Sequence, residues 1–177
     1  MENFEIRKAV VEDAAGVAAV KYHGWQDSYK GIISDSYLNS MNLNELETAW
    51  QKILSPENLR STTEVMITDT GEIIGFLSYG KNLKGLMNTD AEILSLYLLK
   101  KYHGKGLGAK LFLQGIQQLK TAGAQSFYLY VLAQNPALDF YRRFNPDSEH
   151  PTQIQIGGND YNEIGLVWSD IQRSFTV

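Results

Sequence analysis

The chain has 177 residues, of which 44% are hydrophobic and 20% are charged, and its formal net charge is −4. This length suits a single domain with a substantial core, expected to span residues 1–177, and the acidic balance disfavours nucleic acid as a partner. The absence of cysteine excludes disulfides, a thiolate nucleophile and thiolate-bound metal. The sequence contains no signal-peptide pattern and no apolar run of membrane-spanning length, so we expect a cytoplasmic protein without a membrane partner.

Apolar periodicity and turn residues predict an α/β domain with a mixed sheet. The strand at 91–99, the helix at 106–121 and the strand at 125–132 form a crossover, which makes the two strands parallel. The predicted hairpins supply antiparallel pairs. The predicted elements, in chain order, are strand 4–9, helix 12–24, helix 35–54 broken near Asn42, strands 63–69 and 72–79, strand 91–99, helix 106–121, strand 125–132, helix 136–143, and strands 153–156 and 161–168.

A glycine-rich segment, residues 100–109, lies directly between the apolar strand and the amphipathic helix of that crossover. The first turn of a helix has backbone N–H groups without internal partners, and these groups and the helix dipole favour an anion. Gly104, Gly106 and Gly108 let the backbone approach that anion without interference from Cβ atoms. Cationic side chains flank the same loop, namely Lys100, Lys101, His103 and Lys105. The segment therefore predicts a phosphate or pyrophosphate site.

Other interpretations of the glycine segment remain open at this point. The glycines can simply form a tight turn, and the lysines can be solvated surface residues. The P-loop pattern does not occur, but Gly104 to Ala109 fits the dinucleotide pattern G-x-G-x-x-A. That pattern is disfavoured because four residues separate the strand from Gly104, because the next strand is not followed by a carboxylate, and because the chain has a single crossover of this kind.

At these residues the chain resembles the GCN5-related N-acetyltransferase (GNAT) superfamily. The pyrophosphate motif of that family, [QR]-x-x-G-x-[GA], aligns with residues 103–108, where His103 replaces the usual glutamine or arginine. A second family segment, N-x-x-A-x-x-x-Y, is recast here as N-x-A-x-x-F-Y, running from Asn135 to Tyr141. Two motifs at this spacing, within a matching order of elements, make the resemblance specific.

The resemblance implies a GNAT-like mixed sheet of about seven strands, centrally splayed and flanked by helices. It implies acetyl-CoA as co-substrate, no metal, and a pantetheine arm that enters between the strands at 91–99 and 125–132. The strand residues would pair with that arm through their backbone, like an added strand. The implied cofactor contacts are Leu96, Tyr97, Leu98, His103, Gly104, Lys105, Gly106, Leu107, Gly108, Ala109, Asn135, Ala137 and Tyr141.

The resemblance also suggests the catalytic groups for transfer from a thioester to an amine. Tyr141 is the candidate acid that protonates the leaving thiolate, with a core aromatic as the alternative role. Glu92 lies in an otherwise apolar strand and is the candidate base, acting through a water, with an exposed or ion-paired glutamate as the alternative. The backbone N–H near Leu98 is the expected oxyanion donor.

The acceptor is expected where the first helices cover the splayed strands. The pattern W-x-x-x-Y-x-G at residues 25–31 resembles family members that acetylate small amines, polyamines among them. Trp25 and Tyr29 are candidates for an aromatic wall and Asp27 for an ammonium contact, although the two aromatic residues can equally be packing residues.

The sequence thus predicts an N-acetyltransferase that moves an acetyl group to a primary amine of a small molecule by direct attack, without an acyl-enzyme. The alternatives are a protein N-terminal or lysine acetyltransferase and a non-catalytic CoA-binding regulatory domain. The oligomeric state is left open, with a homodimer as one option.

Overall fold

The computed structural model describes residues 3–175, in which helices cover both faces of one sheet. The longest helices, α1 and α4, have 15 residues each. The predicted break near Asn42 is present, because the Asn42 side chain accepts hydrogen bonds from the N–H groups of Asn44 and Glu45 and begins a new helix there. The helices are α1 (Ala14–Ser28), α2 (Asp35–Ser40), α3 (Leu43–Ile53), α4 (Leu107–Thr121) and α5 (Ala137–Arg142).

The sheet has seven strands in the order β1-β2-β3-β4-β5-β7-β6. All neighbouring pairs are antiparallel except β4 and β5, which are parallel and joined by α4, as the predicted crossover requires. The strands are β1 (Phe4–Lys8), β2 (Thr62–Thr68), β3 (Ile73–Lys81), β4 (Ala91–Leu98), β5 (Phe127–Leu132), β6 (Ser148–Ile156) and β7 (Asn159–Trp168).

The parallel pair is short and divides the sheet. The strands β4 and β5 pair only at Ala91 with Phe127 and at Glu92 with Tyr128. The later residues of both strands remain paired on their outer sides, β4 with β3 and β5 with β7. The sheet therefore opens into two halves after Glu92, which is the central splay expected from the sequence.

Alternating strand residues build a core on each face of the sheet. On one face α4 contributes Leu111 and Phe112, which pack with Leu77 and Phe127. Gly115 belongs to this helix, and a Cβ atom there would overlap the Leu77 side chain, so glycine permits the close approach of helix and sheet. On the other face α1 and α3 pack against β2 and β3, with Trp50 against Phe76 at a ring-centroid distance of 5.0 Å.

The last hairpin is longer than predicted. The strand expected at 153–156 begins earlier, at Ser148. The sequence pattern suggested a later start because Pro151 interrupts it, but the structure accommodates this proline within the strand. Since β6 is an edge strand with β7 as its one partner, it is a position in the sheet where a proline is tolerated. Within residues 3–175, none of the helices has the length and apolar character needed to cross a membrane.

Candidate active site

A cavity of about 850 Å³ lies in the gap between the two halves of the sheet. The diverging ends of β4 and β5 form its sides, and the glycine loop, α5, α1 and the β6–β7 hairpin close it. An open α/β sheet places ligands outside the carboxyl ends of its strands in this way. The cavity therefore brings together the two sequence motifs, which are about 30 residues apart along the chain.

The glycine loop presents the first turn of α4 to the cavity. Gly104 and Gly106 have φ values of +75°, and a Cβ atom at either position would meet no other atom within 4 Å, so both backbones are open to a ligand. Gly106 begins the helix, and the N–H groups of the next turn have no partner earlier in that helix. His103, Gly104, Leu107, Gly108 and Ala109 also line the cavity, whereas the Lys105 ammonium lies 5.2 Å from the Tyr102 ring centroid.

The His103 ring is hydrogen-bonded within the protein. Its Nε2 lies 2.9 Å from the carbonyl oxygen of Leu98, which accepts the bond. A carbonyl oxygen can only accept, so Nε2 carries the proton of this hydrogen bond. His103 thus ties the loop to the end of β4, a role that the sequence did not suggest.

The end of β4 directs backbone groups into the gap. The N–H of Leu99 donates to the Ile74 carbonyl of β3 at 2.8 Å, so the backbone groups of Leu98 point away from β3, since successive residues of a strand alternate. On that side β4 has no strand partner beyond Glu92. Leu96, two residues earlier, has the same orientation. The N–H of Leu98 is therefore available to a ligand lying between the strands.

Tyr141 reaches the cavity from α5 and is also packed in the core. Asn135 and Pro136 set the start of α5, where the Asn135 side chain accepts from the Ala137 N–H at 2.9 Å. The Tyr141 ring lies 5.5 Å from Phe112 between centroids and is 7% exposed, while its hydroxyl forms no hydrogen bond with any described residue. Burial, and secondly the Tyr29 phenol, raises the pKa of Tyr141, which therefore stays protonated.

Three phenols meet near this point, because Tyr29 and Tyr97 adjoin Tyr141. The hydroxyls of Tyr29 and Tyr97 lie 3.5 Å apart, at the outer limit for a hydrogen bond. Burial is the main cause that raises the pKa of both residues. Gly24 of α1 faces the Tyr97 ring so closely that a Cβ atom would lie 2.7 Å from Cδ1. The wall of the cavity is thus neutral and aromatic at this point.

Two carboxylates, those of Glu92 and Glu163, also line the cavity. Glu92 is paired in register with Tyr128, at the last position before the strands separate. Glu163 of β7 pairs with Leu132, and burial raises the pKa of its carboxyl. Within residues 3–175 neither carboxylate forms an ion pair. Burial, and then the charges of Glu163 and Glu92, raise the pKa of Tyr130.

Trp25 and Tyr29 form an aromatic wall of the cavity, and Tyr37 belongs to the same wall. Trp25 packs against Tyr29 at 4.7 Å and against Tyr37 at 5.9 Å between ring centroids, and all three residues line the cavity. The Trp25 Nε1 is buried without a hydrogen-bond partner among the described residues. The structure does not bring Asp27 to this wall, since its side chain is exposed and absent from the cavity lining.

The fold and the cavity described above agree with the family to which the sequence is similar. The profile of the acetyltransferase (GNAT) family matches residues 25–145. The chain belongs to this family. It is 31% identical over 174 residues to YuaI of Bacillus subtilis (strain 168), named an uncharacterized N-acetyltransferase, with 97% of this chain and 96% of YuaI covered.

Two further similarities come from Thermoplasma acidophilum. A spermidine N(1)-acetyltransferase is 33% identical over 138 residues, which cover 75% of this chain and 81% of that protein. The crystal structure of the PaiA N-acetyltransferase in complex with coenzyme A matches with a TM-score of 0.68 and 28% identity, covering 92% of this chain and 98% of that one. The predicted superfamily, fold class and enzyme class, an acetyl-CoA-dependent N-acetyltransferase, are confirmed.

In this GNAT enzyme both sequence motifs contribute residues to the cavity lining, and the structure adds residues that the sequence did not single out. Glu163 and Tyr37 were missed, since both reach the cavity through contacts between distant parts of the chain. The helical spacing does contain a signal against Asp27, because it is two residues from Trp25 and so faces another direction, whereas Tyr29 is four residues away and shares its face. Among residues 3–175, no three histidine or acidic side chains are grouped to hold a metal ion.

Proposed function

We propose that this GNAT enzyme acetylates a primary amine of a small cationic molecule by direct attack on acetyl-CoA. The observation that carries the proposal is one cavity with two chemically different ends. The lining combines the glycine loop, the carboxylates of Glu92 and Glu163, and the aromatic wall, and Tyr141 lies beside Tyr29 of that wall. We assign the glycine loop to the donor end and the carboxylates and the wall to the acceptor end. A donor and an acceptor that enter this cavity from its two ends meet between the splayed strands.

At the donor end, the proposal assigns chemical roles to the start of α4, to the end of β4 and to Tyr141. The N–H groups at the start of α4 bind the pyrophosphate, and the backbone of Leu96 and Leu98 pairs with the pantetheine arm. The Leu98 N–H stabilises the negative charge that develops on the thioester oxygen. Tyr141 donates its hydrogen bond, and finally its proton, to the leaving sulfur.

At the acceptor end, Glu92 removes a proton from the amine, because an ammonium ion has no lone pair with which to attack. A water between the carboxylate and the amine can relay this proton. The attacking nitrogen then forms its bond to the carbonyl carbon directly. The chain has no cysteine that would form a thioester intermediate.

The covering of the acceptor end favours a small molecule over a protein segment. The N–H of Ser34, just before α2, donates to the Tyr161 hydroxyl of β7 at 3.1 Å. The turn at Gly157 packs against Tyr37, with a would-be Cβ atom 2.6 Å from Cδ2. An extended peptide needs an open groove between these segments, and here they are in contact.

The charge of the acceptor end favours an amine with a second cationic group. Two carboxylates without ion partners among the described residues are suited to two ammonium groups, one reacting at Glu92 and one bound at Glu163. The rings of Trp25, Tyr29 and Tyr37 provide faces for alkyl chains and cations. Diamines and polyamines, including the spermidine named for the Thermoplasma relative, are therefore the first acceptors to test.

An acceptor screen with acetyl-CoA and thiol release as the readout tests this function. Polyamines and diamines should give turnover, whereas monoamines of equal length and peptides should give much less. For the best amine, Glu163→Gln should raise KM for the amine and leave KM for acetyl-CoA unchanged. Faster turnover of peptides would favour the protein acetyltransferase, and CoA binding without turnover of any acceptor would favour the regulatory domain.

A further inference from the structure

Lys21 of α1 lines the cavity but has no part in the reaction described above. Its side chain is partly buried and forms neither an ion pair nor a hydrogen bond with any residue in 3–175. Its nearest defined partner is the Trp50 ring, whose centroid is 5.9 Å from Nζ, at the edge of the range for a cation–π contact. An unpaired ammonium at such a position is unfavourable, and burial lowers the pKa of Lys21.

Lys21 lies on the face of α1 that covers the C-terminal end of β4, beside which we place the acetyl group of the cofactor. Gly24 and Trp25 follow it by three and four residues, so all three positions share one face of the helix. Gly24 lies against the Tyr97 ring, and Trp25 lies in the acceptor wall. The same face therefore covers β4 at Leu96 to Leu98, where we place the thioester.

We propose that Lys21 is a self-acetylation site of this enzyme, modified by the acetyl-CoA bound in its own cavity. The inference rests on the proposed donor site. The neutral Nζ attacks the thioester carbonyl carbon, a C–N bond forms and the C–S bond breaks. The proton lost by Nζ ends on the sulfur, so that the products are Nε-acetyllysine and the free thiol of CoA.

Two physical consequences make this modification favourable and detectable. Acetylation replaces an unpaired, partly buried ammonium by a neutral amide, which removes the burial penalty of the charge. The modified protein should therefore have a higher melting temperature than the unmodified one at neutral pH. The longer side chain also takes up room in the cavity, so that amine turnover by the acetylated enzyme should be slower.

The test incubates the full chain with acetyl-CoA in the absence of an amine and follows the intact mass. We expect one acetyl group per chain, mapped to Lys21 by peptide mass spectrometry, and its loss in Lys21→Arg. Lys30→Arg is the matched control, because Lys30 lies just beyond the same helix and is exposed. The rate should be independent of protein concentration, slower with Tyr141→Phe, and suppressed by an amine that the enzyme acetylates.

Several outcomes would overturn the inference. Acetyl groups spread evenly over exposed lysines would indicate ordinary chemical acetylation, and a rate proportional to protein concentration would indicate transfer between molecules. Mapping on the wild-type chain decides the matter even if Lys21→Arg fails to fold. Amine turnover without acetylation at Lys21 refutes the self-acetylation alone, whereas acetylation at Lys21 with no amine turned over refutes the small-amine function alone.

Discussion

At the scale of single residues, the position of Tyr141 is compatible with both of the roles that the sequence left as alternatives, a core aromatic residue and the acid of the proposed reaction. It is a buried core residue that also lines the cavity between the strands, and its hydroxyl has no hydrogen-bond partner within residues 3–175. Burial raises the pKa of a phenol, and it raises the pKa of a thiol in the same surroundings for the same reason. The phenol therefore stays the weaker acid, so it first donates a hydrogen bond that strengthens as charge develops on the sulfur and transfers its proton only as the C–S bond breaks.

Tyr141→Phe keeps the ring and removes only this hydroxyl. We expect kcat to fall roughly 10–1000-fold, the usual contribution of a positioned acid, with the Kd for acetyl-CoA nearly unchanged. Because the pKa of Tyr141 is raised above its usual range, its ionisation should not reduce wild-type activity up to about pH 10. Steady-state kinetics and calorimetry measure both quantities. Tyr22→Phe, which removes a hydroxyl outside the cavity, is the control, and equal kcat values in the two variants would rule out the acid role.

For His103 we expect an effect on cofactor binding, because its ring donates a hydrogen bond to the Leu98 carbonyl at the end of β4. His103→Ala removes that bond, and a net loss of about 0.5–1.5 kcal/mol corresponds to a rise in KM for acetyl-CoA of about 2–12-fold. His103→Gln restores an N–H donor and should recover most of the affinity. If His103→Gln is as weak as His103→Ala, a contact other than donation to the carbonyl sets the affinity.

At the scale of elements, the loop between β4 and α4 is the part most directly tied to cofactor binding. Gly106→Glu places a carboxylate where the pyrophosphate is expected, and it also forces a left-handed conformation on a residue with a Cβ atom, at about 1–2 kcal/mol. Gly123→Glu is a matched control, since Gly123 also has positive φ and open surroundings, but lies at the far end of α4. By calorimetry, acetyl-CoA binding should be lost in Gly106→Glu and retained in Gly123→Glu. Equal affinities in two folded variants would contradict the pyrophosphate site.

The same elements indicate how far sequence reasoning reaches. The glycine loop and the segment from Asn135 to Tyr141 could be singled out from the sequence because each is a local pattern within a few residues, and both line the cavity. Glu163 was not, because it reaches the cavity only through the pairing of β7 with β5, more than 30 residues away along the chain. The early start of β6 was hidden by Pro151, which is harmless only because β6 is an edge strand.

At the scale of the whole molecule, the proposed acceptor end is formed where an early and a late part of the chain meet. The segment between α1 and α2 contacts the β6–β7 hairpin through Ser34 and Tyr161, and an apolar cluster joins the two sides around Ile33 and Leu132. The glycine loop lies on other elements and takes no part in this contact. Loosening the contact should therefore affect the amine without affecting the cofactor.

Gly157→Ala tests this separation at the tip of the hairpin. Gly157 and Gly158 both have positive φ, so an alanine is strained in either, but only the Cβ atom at 157 would meet Tyr37, at 2.6 Å from Cδ2. Overpacking of this kind costs about 1–3 kcal/mol, and we expect Gly157→Ala to be less stable than Gly158→Ala by that amount. Because Tyr37 must move, KM for the amine should rise in Gly157→Ala, while KM for acetyl-CoA should match that of Gly158→Ala. Urea unfolding and steady-state kinetics on the pair provide the comparison. Equal amine KM values in the two variants would show that the contact between the hairpin and Tyr37 does not shape the acceptor end.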